Sequence, residues 1–215
     1  MPTVVSLHGL ASSPHGRKIA ALRSLLAPDG IEIVAPDLNV PSFRRLSFDA
    51  IVGTAASAVA GARPGVLVGS SLGALAALAV ARRAGNASPP LVLIAPAFAL
   101  GERWLEKLAP GDPVVVFHQG EGRDLPIRRG FFEEMRGRAV ESEPPPVPVT
   151  AFIGSADETV PCEGVVATWA AWEASGRLAP GSRLVVVDGG DHSLLAHVEA
   201  IAAAVKERLG LSSGA

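Results

Sequence analysis

The chain has 215 residues and a formal net charge of −2, a length that suits one domain, or at most two small ones, with a core large enough to stand without staples. A hydrophobic share of 48% against 19% charged residues excludes disorder for most of the chain, and the near-neutral charge gives no electrostatic argument for nucleic acid. The lone cysteine, Cys162, excludes a disulfide framework and a Cys-rich zinc site within the chain.

Thr3–Leu7 reads as a buried strand, and the absence of a basic segment before it speaks against a secretory signal. Residues 16–27 place Ile19, Leu22, Leu25 and Leu26 at helical spacing, and Pro28-Asp29-Gly30 makes a turn into a second strand, Ile31–Val34. An Ala/Val-rich helix follows over Asp49–Gly61, then the breaker Arg63-Pro64-Gly65. The apolar stretch Val66–Ala81 is about 16 residues, short of the roughly 20 that a membrane span needs. It reads instead as a strand, Val66–Val68, and a helix, Leu72–Ala84. Leu91–Ile94, Val149–Ile153 and Arg183–Val187 complete six predicted strands, with helices over about 162–175 and 194–209. With one cysteine and no signal, a cytoplasmic location is expected.

Strands alternating with helices imply an α/β fold: a mostly parallel sheet with helices on both faces, a three-layer sandwich. The strands are continuous apolar runs, as expected when both sheet faces are covered. Sites in such sheets form beyond the carboxyl ends of the strands. The rhythm breaks over 97–148, which holds Phe98, Trp104, Phe117, Phe131 and Phe132 and ends in Glu143-Pro144-Pro145-Pro146. A segment this long is either a lid or insertion within one 1–215 domain, or a plain crossover with a stiff return.

Gly69-Ser70-Ser71-Leu72-Gly73 is a G-x-S-x-G lying directly after one predicted strand and directly before a helix. A nucleophile on so tight a turn needs small residues two positions before and after, which Gly69 and Gly73 supply for Ser71. Ser70 would need them at Val68 and Leu72. His192 follows the last strand and could act as base. Asp157 follows the fifth strand and could orient it. Glu158, Asp188 and Asp191 are rivals for the acid, but Asp188 and Asp191 lie very near His192 along the chain. The backbone N–H groups of Leu10 and Leu72 are candidate oxyanion donors. Of the other histidines, His8 reads as structural and His197 as a surface or packing residue of the last helix. There is no metal-binding motif and no phosphate loop, so neither metal nor cofactor is expected.

Leu7-His8-Gly9-Leu10-Ala11-Ser12-Ser13-Pro14, Pro36-Asp37-Leu38-Asn39 with Phe43 to Phe48, and Gly69 to Gly73 together resemble the small YqiA-like bacterial esterases of the α/β-hydrolase superfamily. The resemblance covers residues 3 to about 96 and the acid and histidine loops of 149–205, and little of the segment between. It implies a minimal hydrolase sheet of about six strands and ester hydrolysis with Ser71 as nucleophile, Asp157 as acid, His192 as base and Leu10 and Leu72 at the oxyanion hole. The expected partner is a small-molecule ester, without nucleic acid or a membrane span. A thioesterase or C–C hydrolase on the same triad, and a non-catalytic binding protein of the same fold, are the alternatives. Ser12, Phe43 and Phe98 are candidate substrate contacts, although core packing explains each aromatic equally well. Arg123, Arg128 and Arg129 could favour an anionic substrate, although a solvated charged face is the simpler account of them.

Overall fold

Six of the apolar runs pair side by side, all parallel. The computed structural model describes residues 1–108 and 110–211. Its strands are β1 (Thr3–Leu7), β2 (Glu32–Val34), β3 (Val66–Ser70), β4 (Leu91–Ile94), β5 (Val114–His118), β6 (Arg123–Ile127), β7 (Val149–Gly154) and β8 (Arg183–Val187). Its α-helices are α1 (Arg17–Leu26), α2 (Phe48–Ala62), α3 (Leu72–Ala84), α4 (Leu100–Lys107), α5 (Arg129–Arg136), α6 (Cys162–Ala174) and α7 (Val198–Arg208). The main sheet has the order β2-β1-β3-β4-β7-β8, and β5 and β6 form a separate antiparallel pair.

The order dictates the layers. The chain moves one way from β1 to β2 and the opposite way from β2 through β8. Right-handed crossovers therefore put α1 on one face and α2, α3 and α6 on the other. Helix α7 packs against α1, completing that layer. The direction reverses between β1 and β3, where Leu7 pairs with Gly69. A crevice opens at such a switch point beyond the strand ends.

Every residue of β4 and β7 is buried, as continuous apolar strands between two helical layers must be. Helix α3 is buried between the sheet and α2, with Leu75, Ala74, Ala76, Ala77, Leu78 and Ala81 all 1% exposed or less. Its alanines let the helix axis lie close, while Leu75 and Leu78 each contribute about 1.5–3 kcal/mol of burial. This is how a chain without tyrosine fills its interior.

One expectation needs correction. The last helix starts at Val198, after a short 3-10 turn over Leu195–His197, so His197 stands before the helix. The cause is local: Leu194 has φ 47° and gives its N–H to the Asp191 side chain at 2.8 Å, which bends the chain before the helix can begin. The 97–148 segment also carries regular structure, namely α4, the β5–β6 hairpin and α5. Three of its aromatics pack together. Trp104 stacks on Phe132 with ring centroids 5.1 Å apart, and Phe131 meets Phe132 edge-on at 5.4 Å. The hairpin tip reaches the crevice, where Gln119 donates its N–H to the Ala11 carbonyl at 2.7 Å. Among the described residues no helix is long and apolar enough to cross a membrane.

Candidate active site

The turn between β3 and α3 is tight and holds a strained residue. Ser71 has φ 54° and ψ −116°, a conformation that a side chain occupies only when its surroundings enforce it. The enforcement is visible. Ser71 N–H donates to the Ile94 carbonyl at 2.9 Å, and the Ser71 carbonyl accepts from Ala74 N–H at 3.0 Å. A Cβ on Gly69 would lie 2.5 Å from the Gly73 carbonyl oxygen, and one on Gly73 would overlap the Leu7 and His8 carbonyls. Both positions therefore accept only glycine, and the serine hydroxyl is left standing above the strand end.

His192 reaches it from the loop after β8, with Nε2 3.2 Å from Ser71 Oγ. Its Nδ1 lies 2.8 Å from Asp157 Oδ2, and the Asp157 side chain is fully buried. The other carboxylate oxygen, Oδ1, accepts N–H bonds from Thr159 at 2.9 Å and Val160 at 2.7 Å. The acid is thus fixed by its own turn before it meets the imidazole. The two loops are also laced together: Ser155 N–H donates to Val187 O at 2.9 Å and Ala156 N–H to Gly190 O at 3.0 Å.

The rival carboxylates are occupied otherwise. Asp188 accepts from Ser155 Oγ at 3.4 Å. Asp191 accepts from Ser193 Oγ and Leu194 N–H, and the Ser193 hydroxyl beside it holds its carboxyl below the usual range. Glu158 lines the pocket, and among the described residues it forms no hydrogen bond with His192. His8 accepts the Leu38 N–H on Nε2 at 2.9 Å and sets Nδ1 2.9 Å from the Gly9 carbonyl, an arrangement that assigns the proton to Nδ1. It staples the loop after β2 to the end of β1, and burial lowers its pKa from the ordinary 6.5.

Leu10 lines the same pocket as Ser71, and Leu72 follows Ser71 in the chain. Gly9 brings the first loop so close that a Cβ there would sit 3.1 Å from Ser71 Cβ. Leu72 opens α3, so its N–H has no partner within the helix. Among the described residues neither N–H has a protein acceptor.

A pocket of about 580 Å³ joins these parts, and Ser12 lies on its wall with Leu10, Ser71 and His192. Phe43 and Phe98 do not line it. Phe43 stands edge-on to His118 at 4.6 Å, and Phe98 is 5% exposed and packs on Trp172 at 5.6 Å. Both follow strands in sequence, but their loops turn them into neighbouring apolar clusters. Sequence reasoning missed Lys18, which enters the pocket wall from the first turn of α1 and donates from Nζ to Ser70 Oγ at 2.8 Å. Burial pushes its ammonium down to about 8, against the opposing pull of Asp157 and then Asp191. Among the described residues no group of three His, Cys, Asp or Glu side chains is placed to hold a metal ion.

The model of the alpha/beta hydrolase family matches residues 4–204, and the chain belongs to that family. Solved structures share the fold over nearly the whole length. Mouse alpha/beta hydrolase domain-containing protein 10 is 19% identical, with 98% of this chain and 90% of that one covered and a TM-score of 0.75. Est1E from Butyrivibrio proteoclasticus with ferulic acid bound is 20% identical, with 96% and 87% covered and a TM-score of 0.74. A monoacylglycerol lipase from Paleococcus ferrophilus is 20% identical, with 98% and 95% covered and a TM-score of 0.73. No curated protein matches the sequence.

Proposed function

We propose that the protein is a serine hydrolase that cleaves carboxylic esters of small molecules, with Ser71 as nucleophile, His192 as base and Asp157 as orienting acid. One observation carries the reading: a continuous line of hydrogen-bonding groups, Ser71 Oγ to His192 Nε2 at 3.2 Å and His192 Nδ1 to Asp157 Oδ2 at 2.8 Å, assembled from loops that follow three different strands. No structural need of the sheet calls for that convergence.

The chemistry follows from the groups present. His192 Nε2 takes the Ser71 proton as Oγ attacks the ester carbonyl. Asp157 keeps the ring proton on Nδ1 and stabilises the imidazolium that forms. The N–H groups of Leu10 and Leu72 receive the oxyanion, each donor worth about 3 kcal/mol in comparable sites. His192 then protonates the leaving alcohol, and the acyl group remains on Ser71. Water repeats the sequence, giving up a proton to His192, and releases the acid as Ser71 recovers its hydrogen. Thioesters present the same carbonyl, and a panel of acyl-CoA thioesters against simple esters distinguishes that reading.

The test is labelling with a fluorophosphonate probe and turnover of short 4-nitrophenyl esters. Wild type is expected to carry one adduct on Ser71 and to hydrolyse the esters, while Ser71→Ala does neither with an unchanged melting temperature. Absence of an adduct on Ser71 in folded wild-type protein would point to a non-catalytic binding protein instead.

A further inference from the structure

The acyl-transfer scheme leaves one charged group of the pocket unused. Lys18 is half-buried in the first turn of α1 and shares the pocket wall with Ser71 and His192. Its ammonium carries three donors. Ser70 Oγ accepts one of them at 2.8 Å, and among the described residues no carboxylate forms an ion pair with it. The two carboxylates that act on it through space are both committed elsewhere, Asp157 to His192, Thr159 and Val160, and Asp191 to Ser193 and Leu194.

One hydrogen bond to Ser70 and the through-space pull of two committed carboxylates leave this cation without a paired anion among the described residues. Taking an ammonium out of water is unfavourable unless it is paired. The first turn of a helix adds positive potential of its own, and α1 has no acidic residue there to offset it. A methionine would fill the same space beside Ile19 and Leu22, which also line the pocket. Arg17 stands on the pocket wall beside Lys18, exposed and likewise without an ion-pair partner among the described residues. An anionic group in the pocket would supply the missing partner, next to the residue that precedes the nucleophile.

We propose that Lys18 forms an anion subsite beside Ser71, and that the preferred substrates are esters carrying a carboxylate near the scissile bond. The inference rests on the serine-hydrolase reading and narrows its substrate class. Lys18 acts here by recognition, so its removal should affect charged substrates and spare neutral ones.

Two ester pairs test this, one with the charge on the acyl side and one with it on the leaving group. They are 4-nitrophenyl hydrogen glutarate against 4-nitrophenyl hexanoate, and 4-acetoxybenzoate against phenyl acetate. In at least one pair the charged-to-neutral ratio of kcat/KM is expected to fall about tenfold to a hundredfold in Lys18→Met. The loss should lie mainly in KM and be restored by Lys18→Arg. Lys18→Gln replaces Lys18→Met if the latter does not fold. An unchanged ratio in both pairs overturns the proposal. So does an equal loss on charged and neutral esters, which would make Lys18 a brace for Ser70 alone. Should wild type turn over none of the four, the hydrolase reading fails separately, and glutarate binding decides the subsite. A rise in Tm with glutarate, at fixed ionic strength, in wild type but not in Lys18→Met supports it, and no rise in wild type overturns it.

Discussion

Asp157→Asn separates an orienting acid from a merely structural one, because the turn around residue 157 fixes how the new amide must sit. Oδ1 of Asp157 accepts two N–H bonds, from Thr159 at 2.9 Å and Val160 at 2.7 Å, and Oδ2 faces His192 Nδ1 at 2.8 Å. An asparagine has one acceptor oxygen and one NH2 donor. The two backbone donors claim the oxygen, so the NH2 faces His192. The ring then has to present a lone pair at Nδ1 and carry its proton on Nε2. That nitrogen stands 3.2 Å from Ser71 Oγ and can no longer accept its proton. Loss of the correct tautomer costs about 10⁴-fold in kcat in comparable triads, about 5 kcal/mol of transition-state stabilisation. The folded state keeps both bonds to Oδ1, so Tm should change little. The assay is ester turnover and the rate of fluorophosphonate labelling, both measured beside thermal unfolding. A folded variant within tenfold of wild-type activity would refute the assignment of Asp157.

Two further substitutions probe the frame around the site. Gly73→Ala drives a Cβ into the Leu7 and His8 carbonyls, backbone atoms of a central strand and its exit that have nowhere to move. The expected loss is about 3 kcal/mol, read as a Tm lowered by roughly 6–12 °C for a chain of this size. His8 has a pKa lowered below 6.5 by burial, with Asp37 opposing and His118 reinforcing the shift. The unfolded chain therefore binds its proton at higher pH than the native one does. Stability rises with pH up to about 6.5 and is lost as pH falls through the lower native value. His8→Gln, whose side-chain oxygen is able to accept the Leu38 N–H, should flatten the dependence of the urea midpoint on pH below 6.5. An equally steep curve would assign the effect to other groups.

Much of the fold is legible in the sequence because its causes are local or periodic. The six sheet strands are short runs rich in Val, Leu and Ile, with Gly, Pro or Asp near their ends, and each lies within two residues of its predicted bounds. The Gly69 to Gly73 turn is legible because its constraint is steric and confined to five residues. The 97–148 segment is less so. Val114 to His118 alternates buried and exposed positions, which marks an antiparallel pair, but Val115 and Phe117 on the outer side are apolar and mask the alternation. The roles of Phe43 and Phe98 depend on His118 and Trp172, which lie 75 and 74 residues further along the chain. No local pattern carries that information.

Lys18 shows where a partial signal exists. The apolar positions Ile19, Leu22 and Leu26 define the buried face of α1. Lys18 stands one turn before Leu22, on the edge of that face, so helical phase alone places a cation where an apolar residue belongs. What the phase does not tell is what lies opposite. That depends on the reversal of strand order between β1 and β3, which sets the start of α1 over the end of β3 and so brings Nζ to Ser70. The same reversal brings the Gly9-Leu10 backbone to Ser71. The proposed oxyanion donor and the cation are thus two products of one topological feature. A charge fixed there by the fold sits on rigid secondary structure, which is what the proposed anion subsite requires.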